Sequence, residues 1–140
     1  RAYTVMGDNV NLGSRLEGIT RQYAVGILVS EETAHAAKGI FFREIDMVRV
    51  KGKENPIRIY QPLGIDAEVS AERRHQTLRW SAALEAYRSL QWDLAASILR
   101  ELSAIDPEDG LFGVYLERIA GMRITPPPAG WDGVKKFDSK

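Results

Sequence analysis

Tyr3-Thr4-Val5-Met6-Gly7-Asp8-Asn9-Val10-Asn11-Leu12-Gly13-Ser14-Arg15-Leu16-Glu17 is the stretch that decides how the N-terminal half folds. Tyr3 to Met6 has the aromatic and β-branched character of a strand end. Gly7-Asp8 then supplies a turn and a helix cap. Leu12, Leu16, Ile19 and Tyr23 follow at spacings of four, three and four, the apolar stripe of an amphipathic helix. Asn11 and Arg15 stand at i and i+4, so they share one helical face, opposite much of that stripe. They also fall in the first two turns, where free backbone N–H groups and the helix dipole attract anions.

Outward from this helix, Gly26-Ile27-Leu28-Val29 reads as a short buried strand. Ser30-Glu31-Glu32-Thr33 supplies an N-cap with two acids in the first turn, and a second helix runs through Ala34-His35-Ala36-Ala37 until Lys38-Gly39 ends it. Phe41 to Val50 reads as a long strand, Lys51 to Pro56 as a polar loop, and Ile57-Arg58-Ile59-Tyr60 as its hairpin partner. Residues 1–62 thus run β-α-β-α-β-β, an α+β order that does not close a sheet comfortably by itself. Residues 63–68 read as a linker. Residues 69–124 read as helical, in segments Val69–Leu90, Trp92–Ile105 and from Leu111 onward, with Ala95, Ile98, Leu99 and Leu102 on one face of the second. Ala82, Leu84, Tyr87, Leu94, Ala96, Leu102 and Pro107 resemble one tetratricopeptide repeat plus the opening helix of another. Pro126-Pro127-Pro128 and Gly130-Trp131-Asp132-Gly133 break any further helix, so residues 125–140 are expected to be irregular.

Hydrophobic residues make up 44% of the 140 and charged residues 27%, the balance of an ordinary globular fold. Nineteen basic side chains match nineteen acidic ones, so no overall field favours nucleic acid or an anionic membrane. The absence of cysteine removes disulfides, thiolate metal sites and cysteine nucleophiles, and fits a reducing compartment. No apolar run approaches the roughly 20 residues that span a bilayer. Arg1-Ala2-Tyr3 opens abruptly on a strand-like segment, which reads as an excerpt from something longer. A cytoplasmic location is expected, free or as the cytosolic part of a membrane-anchored protein whose membrane segments lie upstream.

Two groups of residues have the chemistry to hold a phosphoryl group. The amide of Asn11 and the forked, permanently charged guanidinium of Arg15 make a credible oxygen clamp, which lysine cannot copy. The bland alternative, a capping amide beside a solvated arginine, stays open on spacing alone. Lys51-Gly52-Lys53 at the hairpin tip offers a point charge to a triphosphate and a glycine that lets backbone approach closely; an ordinary solvated turn is the alternative. Asp8 reads as a helix cap, and Asp46 sits between Ile45 and Met47 without an acidic neighbour in useful register, so no metal ligand is assigned in this chain. His35 and His75 are solitary, and Trp80, Trp92 and Trp131 read as core residues.

Three separated blocks carry a more specific signal: Tyr3 to Glu17, then Ile27-Leu28-Val29-Ser30-Glu31, then Phe42-Arg43-Glu44 through Val48-Arg49-Val50-Lys51-Gly52-Lys53. In order and spacing they resemble the C-terminal half of the class III adenylate and guanylate cyclase catalytic domain, which implies part of a ferredoxin-like cyclase fold followed by a small helical extension. The resemblance implies that Asn11 lies near the ribose and orients the attacking 3′-hydroxyl. It implies that Arg15 stabilises charge on the phosphoryl group in the transition state and that Lys51 holds the outer phosphates. Thr4 falls at a base-selecting position where bacterial adenylate cyclases often carry threonine, which favours ATP. Gly13 stands where alanine is usual and keeps a small residue. The family's two aspartates, which bind two divalent ions, Mg or Mn, lie N-terminal to this sequence, as does a base-selecting lysine. Family sites form across a head-to-tail dimer, so the partner implied is a second copy or a complementary cyclase half, and this chain alone is expected to be inactive.

Two functions are therefore in view. One is a lyase part, turning ATP into cyclic AMP and pyrophosphate. The other is a cyclase-derived scaffold that no longer turns over and works through its helical extension. A ferredoxin-like RNA-binding sheet is disfavoured by neutral charge and by the lack of an aromatic pair on a basic-flanked strand.

Overall fold

The computed structural model describes Leu16, residues 18–50 and residues 55–137. The chain divides into two compact units, one made of the residues up to Val69 together with those from Val134, the other of Ser70–Gly133. The architecture is α+β, with one mixed four-stranded sheet and several helices.

In the first unit, Leu16, Gly18 and Ile19 are helical and tighten into a 3-10 turn at Thr20–Tyr23. The turn stops where Ala24 adopts a left-handed conformation, φ 58°, and its N–H returns to Arg21 and Thr20 carbonyls. Leu16, Ile19 and Tyr23, the described members of the expected apolar stripe, are all buried. The next strand, β1, is only Val29–Ser30, shifted C-terminally from the expected 26–29 because Ile27 is half exposed while Leu28 and Val29 turn inward. Ser30 then caps helix α1, Glu31–Ala36, accepting from the Thr33 N–H at 3.2 Å, with both expected acids in the first turn. Gly39, at φ 78°, makes the turn into β2, Ile40–Val50.

Strand β3, Ile57–Ile65, pairs antiparallel with β2 and with β1. It runs past the expected hairpin partner Ile57–Tyr60 and takes in Leu63 to Ile65, which were expected in a linker. The reason is the length of β2: Ile40 and Phe41 find their partners in Ile65 and Gly64. Pro62 and Gly64 hide this continuation from a propensity reading. A second difference lies near the end of the chain. Lys135–Phe137, within the stretch expected to be irregular, forms strand β4 and pairs parallel with Val48–Val50 of β2. The sheet order is β1-β3-β2-β4.

The second unit is helical. Ser70 caps α2, Ala71–Arg88, through the Arg73 N–H at 3.0 Å. Helix α3 spans Trp92–Ile105 and α4 spans Leu111–Ile124. Surface ion pairs show their directions. Arg79 grips Glu101 with Nη2 at 2.8 Å and Nε at 3.3 Å, and this hydrogen bond holds the Glu101 carboxyl below its ordinary range. Arg73 approaches Asp106 at 3.7 Å, so α2 and α3 run antiparallel, while Arg123 meets Asp93 at 2.8 Å and orients α4 against α3. Ala95, Ile98, Leu99 and Leu102 are buried as one face, as their spacing predicts. Trp80 packs edge-on to Tyr115 at 5.1 Å and tilted on Phe112 at 5.9 Å. Beyond the proline run, Trp131 returns to Tyr87 at 5.5 Å and Trp92 at 6.3 Å. Gly133, at φ 79°, follows; a Cβ there would stand 3.1 Å from Cγ of Arg88, so only glycine suits both backbone and space.

Leu99 is 1% exposed at the centre of the helical unit. Leu99→Ala is expected to destabilise that unit by about 2–5 kcal/mol, read as a lowered urea midpoint with an unchanged slope.

Candidate functional site

Thr4, Asn11, Arg15 and Lys51 all lie outside the described residues. What the structure describes is the scaffold that adjoins two of them in sequence: Leu16, which follows Arg15, and Val50, which precedes Lys51. Both scaffold residues are buried, Leu16 at 0% and Val50 at 4% exposure.

A bulge in β2 builds the inner surface between these two ends. The register passes from Glu44↔Tyr60 to Asp46↔Ile59, which leaves Ile45 as the extra residue. Burial then breaks strict alternation: Ile45 and Asp46 are both buried, and the inward series continues with Val48 and Val50. Without the extra residue, period-two alternation from Ile45 would have turned Asp46, Val48 and Val50 toward the other face.

The re-aimed Asp46 is fully buried, and a carboxyl in that position needs hydrogen bonds in either protonation state. It accepts the phenolic O–H of Tyr23 at 2.6 Å on Oδ2 and the Met47 N–H at 2.8 Å on Oδ1. Tyr23 is itself fully buried, and its ring packs tilted against Phe137 of β4 at 6.2 Å. Phe137 in turn pairs with Val50 in the parallel ladder. The end of the first helix, the middle of β2 and the C-terminal strand thus converge on one small buried cluster.

The hairpin is also stapled by polar side chains on both faces of the sheet. Arg58 Nη1 donates to Glu44 Oε2 at 2.7 Å, and Arg43 Nε, itself buried, donates to Gln61 Oε1 at 2.8 Å. Partial desolvation works against the Arg58 charge, but the Glu44 hydrogen bond and charge together outweigh it and raise its pKa.

The sequence reading placed Tyr23 in an apolar stripe and Asp46 in a strand, but it did not pair them. An acid flanked by Ile45 and Met47 was the available signal; nothing local names a partner 23 residues away. Phe137 was missed with its strand. Among the described residues, no group of three or more histidine, cysteine, aspartate or glutamate side chains is placed to hold a metal ion. His35 is exposed, 3.9 Å from Glu31 on its own helix, and His75 is exposed as well. Among the described residues no helix is long and apolar enough to cross a membrane.

Comparison with known proteins adds a consistent signal. The chain is 28% identical over 120 residues to "Adenylate cyclase, terminal-differentiation specific" of Dictyostelium discoideum, covering 82% of this chain and 6% of that protein. It is 44% identical over 62 residues to "Adenylate cyclase" of Anabaena cylindrica, 41% of this chain and 12% of the relative. It is 36% identical over 64 residues to "Adenylate cyclase 1" of Rhizobium meliloti (strain 1021), 45% of this chain and 10% of the relative. The chain is similar to adenylate cyclases. These relatives support a place in a cyclase family, although the chain spans only 6% to 12% of their lengths. The match to the Dictyostelium protein is too long to stop at the sheet and takes in helices α2 and α3 as well. No family model and no solved structure matches.

Phe137→Ala removes the aromatic lid from Tyr23 and the anchor of β4. The expected result is a loss of about 3 kcal/mol from the sheet-containing unit, measured by chemical denaturation followed through hydrogen exchange of β2 amides.

Proposed function

We propose that this chain is the complementing half of an adenylate cyclase active site, of the class III kind. The observation that carries the reading is similarity to three proteins named adenylate cyclase, read together with Asn11, Arg15 and Lys51, which match the family's pattern in order and spacing. In this reading the 3′-hydroxyl oxygen of ATP attacks the α-phosphorus. A new O–P bond forms, the bond to the β-phosphate oxygen breaks, and cyclic AMP and pyrophosphate separate. Asn11 orients the ribose, and Arg15 meets the charge that grows on the phosphoryl oxygens, where fixed donors contribute most. Lys51 holds the outer phosphates, and Thr4 contributes to the choice of adenine.

Two divalent ions, Mg or Mn, would supply activation of the hydroxyl and positive charge for the triphosphate in such a reaction. Among the described residues no cluster fits them, and it is the family resemblance that assigns the ions to two aspartates N-terminal to this sequence. A second copy or a complementary half completes the site. On this reading the sheet-containing unit is cyclase, the helices within 69–124 form a tetratricopeptide-like segment set between its strands β3 and β4, and the whole works in the cytoplasm. The alternative, an inactive scaffold acting through helices α2 to α4, draws on the way those helices bury a core of their own.

In the full-length protein, Asn11→Ala and Arg15→Ala are each expected to lower kcat by about 10²-fold or more while leaving KM nearly unchanged. An unchanged kcat in both variants removes these two residues from the reaction, and a full-length protein without turnover assigns the scaffold function instead. Replacement of Thr4 is expected to shift the ATP-to-GTP preference more than the rate. Equal use of the two nucleotides before and after removes its selecting role.

A further inference from the structure

We infer that Tyr23 and Asp46 are a positioning pair: their buried hydrogen bond sets where the helix ending at Tyr23 stands relative to β2. The inference rests on the cyclase reading above and extends it to residues that touch no nucleotide. Three observations support it. Both side chains are fully buried, and the O–H to carboxyl distance of 2.6 Å is short. Asp46 faces inward only because β2 spends an extra residue at Ile45, so the strand's regularity is broken at the one place that brings a carboxyl to Tyr23. Finally, the two elements joined lead in sequence directly to the proposed reacting groups, through Leu16 back to Arg15 and through Val50 on to Lys51.

An apolar pair of similar volume would fill the same space, but it would not fix the two elements along the direction of a hydrogen bond. Apolar contact is non-directional, whereas a short buried O–H···O bond tolerates little sliding. Reactions that depend on orientation are sensitive to such sliding, and a displacement of about 1 Å can cost about 10²-fold in rate.

The test compares Tyr23→Phe and Asp46→Asn in the full-length protein, with steady-state kinetics and hydrogen exchange measured together. Tyr23→Phe keeps the ring and deletes the donor. It is expected to lower kcat by about tenfold or more at an unchanged KM for ATP. Amides of Leu16–Tyr23 should lose protection while those of α2 to α4 keep theirs. Asp46→Asn is expected to lower kcat in the same direction, because an amide oxygen that accepts from Met47 N–H turns its NH2 toward Tyr23 and takes the acceptor away from that buried O–H. Cyclase activity that Tyr23→Phe leaves unchanged overturns the inference and spares the cyclase reading. A uniform loss of protection in both units overturns it too, since the pair would then act only on stability. A parent protein without cyclase activity defeats the cyclase reading and the positioning role with it. Selective loss of protection at Leu16–Tyr23 would then report a fold contact alone.

Discussion

A carboxyl group with no exposure to water constrains everything around it. Asp46 cannot be solvated where it lies, so the surrounding chain must supply donors from fixed directions. The Met47 N–H comes from the same strand and asks little of the fold. The Tyr23 hydroxyl comes from a different element, and its bond forms only if the first helix ends at the right height and its ring is walled in. Phe137 provides part of that wall, and β4 exists as a strand where Phe137 meets Val50. One buried polar group therefore links the bulge in β2, the tight turn at Thr20–Tyr23 and the C-terminal strand.

Much of the fold was legible in the sequence because its signals are local. Ser30 with Glu31 and Glu32 announces a helix start, and Gly39 its end. The β-branched run into Val50 announces a long strand, and the period of Ala95, Ile98, Leu99 and Leu102 announces a buried helical face. The features that were not legible are those set by partners far along the chain. Strand β3 continues through Pro62 and Gly64 because Ile40 and Phe41 lie opposite, not because its own residues favour extension. Strand β4 is three residues among charges and glycines, and it becomes a strand only beside Val48–Val50. For the site, Asn11, Arg15 and Lys51 stood out as candidates by type and spacing, and the family resemblance gave them roles and added Thr4. The buried pair Tyr23 and Asp46 depends on a contact between positions 23 residues apart that no pattern announces.

The two units solve the problem of stability differently. The sheet-containing unit places polar groups in its interior, among them Asp46, Arg43 and Ser30, and depends on their hydrogen bonds for a defined arrangement. The helical unit is held by aromatic and aliphatic packing around Trp80, Tyr87 and Tyr115, with its ion pairs on the outside. Directional bonds fix the register of one element on another, whereas non-directional packing fixes mainly how much apolar surface is buried.

Because β4 returns to the sheet after α4, the helical segment is an insertion and not an appendage: the chain leaves the sheet unit near Val69 and re-enters it at Val134. Both of its ends are tethered to one folded body. If the helices unfold while the sheet stays intact, the released chain is a closed loop, which has fewer conformations than a free tail of the same length. The sheet thereby lends stability to helices it need not touch, and it does so only while three residues at the far end of the chain hold their place.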